Sequence, residues 1–332
     1  MNRTTLLSSA FSRIGHTFNG FGLPLSLVLG MAAAFNVTAG ERVDQSLSAE
    51  GLSLVNVENM RGSVKIIGSD DDEVSVTGEL GDRVDRFIFE KNGNMLRLKV
   101  VYRSTRRSNN SDGSHLTLTM PKSLRMNFEG VSTEVEVSEL DSHVEVKTVS
   151  GDILAKQLSD NIELSTVSGD IDSYDLAGKI RLSTISGKID DRNSSGRLRL
   201  KAVSGDLETR SSAQQVSLSV VSGDIEFELG EVEELAIASV SGDASGSLTL
   251  MNHGEVKVSG VSSDIALAFN NEVNADFRLH ASAGGDIINR ITQHKAQRAK
   301  YGPSSKLSFT AGNGTGSVRG NVVSGEIKVT NK

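Results

Sequence analysis

The sequence predicts an all-β protein, a β-solenoid of stacked rungs about 18 residues long with a β-rich N-terminal cap region. Three observations carry the prediction. The element Val-Ser-Gly-Asp-Ile recurs, with small changes, at 149–153, 167–171, 185–189, 203–207 and 221–225, each step being 18 residues. Aligned at that period, apolar residues fall into columns: Val144, Ile162, Ile180, Leu198 and Val216; Val146, Leu164, Leu182, Leu200 and Leu218; Val149, Val167, Ile185, Val203 and Val221; Ile153, Ile171, Ile189, Leu207 and Ile225. Finally, the chain has no Trp, 3 Tyr and 11 Phe, which suits a narrow interior filled by Val, Ile and Leu.

Within a unit the first two columns lie two residues apart, the period of a strand. Between Leu164 and Val167 the step becomes three, so the chain is expected to bend near Ser165 and Thr166 to keep both side chains inside. Alternation resumes from Val167 through Gly169 to Ile171, which predicts two short strands per unit joined by two bends. Such units have one apolar face each and gain a core only by stacking. An antiparallel meander turning at Ser-Gly competes, but about twenty strands in one open sheet would exceed the usual limit of about ten. Beyond the regular series the motif loosens through Gly242, Ser263 and Gly285, at steps of 19, 21 and 22, and returns at Gly325 after 40 residues. A degenerate copy occupies 131–135.

Three segments follow from this pattern. Residues 1–39 read as a secretory signal: Arg3 and Arg13 precede an apolar run over 21–35, and Val37-Thr38-Ala39 ends small, as signal peptidase requires. The run is shorter than the roughly 20 apolar residues of a spanning helix, and no Cys follows it to accept a lipid. Residues 40–128 contain strand-like runs at 55–57, 63–67, 73–76, 86–89, 96–101 and 116–120 without the period, and are expected to cap the solenoid edge. The solenoid is expected over 129–332. It carries a basic insertion near 289–302 with Arg290, Lys295, Arg298 and Lys300, a short helix or loop, before a last pair of strands at 307–310 and 326–329.

Composition narrows function. Net charge is −7 and no long Lys/Arg tract occurs, which argues against nucleic acid as a partner. With no Cys there is no disulfide framework, thiolate nucleophile, Cys-ligated zinc or iron–sulfur cluster.

Several stretches together resemble a known pattern: the opening Val57-Glu58-Asn59-Met60-Arg61-Gly62-Ser63-Val64-Lys65-Ile66, the step Thr119-Met120-Pro121, the Val-Ser-Gly-Asp-Ile ladder, and the ending Tyr301-Gly302-Pro303 with 312–316. They resemble the bacterial putative-adhesin family of β-strand repeats, a domain of unknown function related to the toastrack domains of envelope proteins. The resemblance spans nearly the whole chain after residue 39. It implies an exported β-solenoid without enzymatic activity, and it transfers no binding residue.

The sharpest chemical feature is a column of carboxylates, Asp152, Asp170, Asp206, Asp224, Asp243, Asp264 and Asp286, with Lys188 in the third slot and Glu326 at the end. At about 4.8 Å per rung, neighbouring like charges repel by roughly 1 kcal/mol in water, which a bound calcium ion would relieve. One carboxylate per rung falls short of calcium's six to eight oxygens. The simpler reading is an Asx-type bond to turn backbone, with Lys188 bridging Asp170 and Asp206. Outward charges look compensated: Glu163 beside Arg181, and Asp190 and Glu208 two residues from Arg192 and Arg210. The acidic run Asp70-Asp71-Asp72-Glu73 reads as a solvated turn. The loop 103–115, with Arg106 and Arg107, reads as a flexible hairpin loop that could touch anionic glycans or headgroups.

No catalytic, cofactor-binding or metal-binding residue is assigned. The six His, at 16, 115, 143, 253, 280 and 294, are dispersed; no zinc-protease, nucleophile-elbow or P-loop motif occurs. Gly312-Asn313-Gly314-Thr315-Gly316 reads as a tight turn in a β region. The expectation is therefore a non-enzymatic exported solenoid, periplasmic or at the cell surface, offering a repetitive face to an envelope or surface partner, protein or glycan, and not an integral membrane protein once the signal is removed. A periplasmic envelope-stress sensor or scaffold, and a polysaccharide-active β-helix enzyme, are the alternatives.

Overall fold

In a computed structural model the chain is described over residues 35–36, 40–103 and 112–332, all within one compact unit spanning Ala32–Lys332. Nearly all of the expected export signal, and Arg106 and Arg107 of the loop, lie outside the described residues. Every regular element among the described residues is a strand.

The repeat produces parallel stacking. Ile153–Ser168 pairs with Ala177–Ser186, that strand with Ser195–Ser204, and that with Gln215–Ser222, each residue opposite the one 18 positions on, as in Ile162, Ile180, Leu198 and Val216. The second strand of each unit stacks in the same way, through Ile171–Tyr174, Ile189–Arg192 and Leu207–Ser211. The expected columns at Ile162, Leu164 and Ile171 are fully buried and join one continuous aliphatic core. Each strand alone has a single apolar face, so burial comes only from its neighbours above and below.

One expected column is inverted. Val149, Val167, Ile185, Val203 and Val221 point outward, between 37% and 48% exposed. Alternation does not break after Leu164; it continues to Thr166, which is buried in place of Val167. Thr is accepted there because its hydroxyl donates to the carbonyl of Gly151 on the preceding rung at 3.3 Å, as Thr184 does to Gly169 at 3.2 Å. The bend therefore falls after Val167, across Ser168, Gly169 and Asp170, rather than at Ser165 and Thr166.

At that bend successive rungs approach so closely that Gly fills most rungs, with Thr133 and Ser263 as the exceptions. A Cβ on Gly242, whose φ is +118°, would stand 2.1 Å from the carbonyl oxygen of Gly223. The other corner uses short polar side chains in the left-handed region, Asp175 at φ 56° and Asn193 at φ 60°, with the Asn193 amide donating to Asp175 across the rungs at 3.2 Å.

Both ends depart from chain order. At the N-terminal end Leu54–Ser69 is already a parallel rung, paired with Arg125–Leu140 on one side and with Met95–Tyr102 and Ser114–Pro121 on the other. The outer edge of those last two strands is covered by antiparallel strands, Val84–Asn92 on the first and Glu73–Glu79 on the second. At the C-terminal end Gly316–Ser324 and Glu326–Asn331 insert between the rung 255–269 and the rung formed by Ala275–Ala281 and Asp286–Asn289. The last repeat in sequence is thus next to last in space. Both expected last strands, 307–310 and 326–329, form, within Ser305–Ala311 and Glu326–Asn331, but they do not pair with each other. Instead Ser305–Ala311 lies antiparallel on Ala275–Ala281 at the outer edge, where strand N–H groups would otherwise be open. The basic insertion is a loop containing the two-residue strand Gln297–Arg298, not a helix, and 312–315 is a turn with Gly312 and Gly314 at positive φ.

Candidate interaction surface

The inverted column is the most unusual surface of the molecule. In spatial order it runs Val131, Val149, Val167, Ile185, Val203, Val221, Val240, Val261 and Val323, one residue per rung, all exposed. An exposed Ser follows every one of them, from Ser132 to Ser324. At about 4.8 Å per rung the ladder is on the order of 40 Å long. A soluble edge has no need of nine stacked β-branched aliphatics, because Thr or Lys would fit the same strand geometry at lower hydration cost.

Beside it, the carboxylate column is engaged with backbone. Asp152 accepts the N–H of Asp170 at 2.9 Å, Asp170 that of Lys188 at 2.7 Å, Asp206 that of Asp224 at 2.9 Å, and Asp224 that of Asp243 at 2.8 Å. Asp243 and Asp264 continue to the N–H groups of Asp264 and Glu326 at 3.1 and 2.7 Å. The bonds run to the next rung, not to the local turn. Lys188 does not bridge Asp170 and Asp206; its ammonium sits 2.7 Å from Glu208 and 4.0 Å from Asp190. Asp286, in register opposite Glu326 on the last rung, pairs with Arg298 at 3.1 Å. Among the described residues no three His, Asp or Glu side chains converge as metal ligands would.

Of the expected charge pairs, Asp190 with Arg192 and Glu208 with Arg210 form at 2.8 and 3.0 Å. Glu163 and Arg181 are adjacent in register but make no ion pair; the Arg181 guanidinium donates to Asn161 at 3.4 Å. Asp70 of the acidic turn pairs with Lys122 at 3.1 Å.

A buried carboxylate went unnoticed in the sequence. Asp191 occupies an inward position on Ile189–Arg192 and is 0% exposed. Burial pushes its carboxyl above the ordinary 3.8, while hydroxyls of Ser194, Ser173 and Thr209 donate to it and oppose the rise. Its signal was the 18-residue spacing to Ser173 and Thr209, a polar column in the core. Near it on the outer face, Asp172 is also raised, first by burial and then by the charges of Asp190, Asp170 and Asp152. At the N-terminal end burial works to raise Glu58, but Lys99 and Arg97 outweigh it and hold the carboxyl low.

The sequence matches the toastrack family DUF4097 over residues 53–330. The chain belongs to the toastrack family. Solved structures similar to this toastrack chain include a putative adhesin from Bacteroides fragilis, with 13% identity, TM-score 0.34, and coverage of 88% of this chain and 97% of that one. A putative adhesin from Parabacteroides merdae has 11% identity, TM-score 0.35, and coverage of 70% and 95%. A putative cell adhesion protein from Clostridium sporogenes has 10% identity, TM-score 0.20, and coverage of 88% and 100%. No curated protein matches the toastrack chain.

Proposed function

We propose that this toastrack protein is a non-enzymatic, exported scaffold whose repetitive edge contacts a partner in the cell envelope or at the cell surface. The aliphatic ladder from Val131 to Val323 is the observation that carries this reading. Its apolar area is on the order of 500 Å², in the range where exposed patches on monomers serve binding. In this reading residues 1–39 direct export, residues 40–128 supply the first rungs and cap the stack, and the rungs space identical contacts at a fixed pitch. No residue is given a catalytic, cofactor or metal role. The adhesin names of the similar structures agree with a surface role.

Photo-crosslinking in cells tests the reading. A crosslinking side chain in place of Val203 should give a discrete adduct, and the same group in place of the exposed Lys306 on the edge strand Ser305–Ala311 should not. Adduct formation at neither position, or equally at both, removes the ladder as a contact edge. Protease shaving of intact cells, with osmotically opened cells as control, then separates the locations. Digestion on intact cells supports adhesion at the surface; protection until the cells are opened supports a role inside the envelope.

A further inference from the structure

The first strand of each rung sends alternate side chains to solvent. On the adjacent rungs Ala177–Ser186 and Ser195–Ser204 these are Lys179, Arg181 and Ser183, then Arg197, Arg199 and Lys201. Register places Lys179 opposite Arg197, Arg181 opposite Arg199 and Ser183 opposite Lys201. Five cations thus share a two-rung grid, spaced about 4.8 Å across the strands and about 6.6 Å along them. Four are exposed and Arg181 is half-buried.

None of the five has an ion pair among the described residues; Arg181 and Arg197 donate only to neutral amides, of Asn161 and Gln215. Many other outward cations are compensated, as in Lys147 with Glu145, Arg210 with Glu208, and Lys257 and Arg319 with Glu255. Like charges directly opposite one another destabilise a sheet. In a chain of net charge −7 the fold gains nothing from concentrating them here. At one end of the grid Lys179, Gly196, Arg197, Gln214 and Gln215 line a shallow hollow.

The shape of the positive strip selects the partner. It runs along the strands and is only two rungs wide. Glu163 adjoins it on one side, and Glu234 lies two rungs beyond Arg197 on the other. A planar anionic membrane would meet those carboxylates as well as the cations. A single anionic chain laid along the strands meets cations alone. Nucleic acid would want aromatic side chains for its bases, and the grid offers none. Hydroxyls of Ser183, Ser217 and Ser219 beside the cations suit sugar oxygens instead. We propose that Lys179, Arg181, Arg197, Arg199 and Lys201 bind a linear acidic polysaccharide lying along the strand direction. The argument rests on charge and does not depend on the aliphatic ladder.

Titration of the full chain with polygalacturonate, against neutral dextran, tests the proposal. Polygalacturonate should bind and dextran should not, with affinity falling as salt rises. The double variant Arg197→Gln/Arg199→Gln should weaken polygalacturonate about tenfold or more, with a melting temperature equal to or above that of the parent as repulsion against Arg181 is relieved. Lys306→Gln/Lys328→Gln, remote from the grid, should bind as the parent does. Absent binding, equal binding by the Arg double variant, or preference for phosphatidylglycerol vesicles or a single-stranded oligonucleotide over polygalacturonate would each overturn it.

Discussion

Asp170 accepts the backbone N–H of Lys188, its counterpart one rung on, at 2.7 Å. The same bond links Asp152 to Asp170 and Asp206 to Asp224, so the side chain of one rung satisfies the turn of the next. Conserving chain direction from rung to rung is what makes this possible, since equivalent atoms then stack at one fixed pitch.

Removing one such acceptor should be costly and its shape alone should not. Asp170→Ala leaves the Lys188 N–H without its partner and should lower unfolding free energy by about 1–2 kcal/mol. Asp170→Asn keeps a carbonyl acceptor and should lose less than half of that. Urea unfolding of the two variants checks the difference.

The inverted column predicts opposite results from neighbouring aliphatics. Val167→Ala should change stability by no more than about 0.5 kcal/mol, because the side chain faces solvent. Leu164→Ala, three residues earlier and fully buried, should cost about 2–5 kcal/mol. Thermal melts that rank the pair the other way would restore Val167 to the core.

At Gly242 an added methyl meets the Gly223 carbonyl oxygen at 2.1 Å in a conformation L residues avoid. Gly242→Ala should therefore destabilise by about 2 kcal/mol or more, whereas Gly284→Ala, with open space around it, should cost only its backbone strain of about 1 kcal/mol. Denaturant midpoints for the two variants decide this.

Asp191 gives a pH dependence of definite sign. Its folded carboxyl is raised above 3.8, so the folded state holds the proton more tightly than the unfolded one. Stability from this group is greatest below the unfolded value and is lost as pH rises from about there through the raised folded value. Asp191→Asn cannot ionise and should erase that loss, and its amide can still bond the rotatable hydroxyls of Ser173, Ser194 and Thr209. Melting temperatures of both proteins across pH 3 to 8, a range on the order of that spanned by shifted carboxyls, should converge in acid and diverge above it.

The interleaved C-terminal end predicts a non-local effect of truncation. Deleting 316–332 removes the rung between 255–269 and 275–289 and strips Ala275–Ala281 of its parallel neighbour. Limited proteolysis should then cut within 275–311 while the rungs from 153 to 222 stay protected.

Much of this architecture was legible because a period of 18 residues forces equivalent side chains into register. The columns at Ile162, Leu164 and Ile171 and the two strands per unit needed only alternation and spacing, whereas the bend, expected near Ser165 and Thr166, lies at Gly169. What spacing could not settle was Val167 against Thr166, since hydropathy favours Val inside. Only the position of the Gly151 carbonyl, set by the rung beneath, supplies the acceptor that lets Thr take the core. Nor could it show Asp191 buried among three hydroxyls, Lys188 turning to Glu208, or five cations gathered without a counter-charge. Sequence by itself determined the repeat, the strand period and the aliphatic core, because these follow from local geometry. Tertiary structure alone decided which edge stays apolar in water and how the two ends interleave, because those depend on atoms that meet only after stacking.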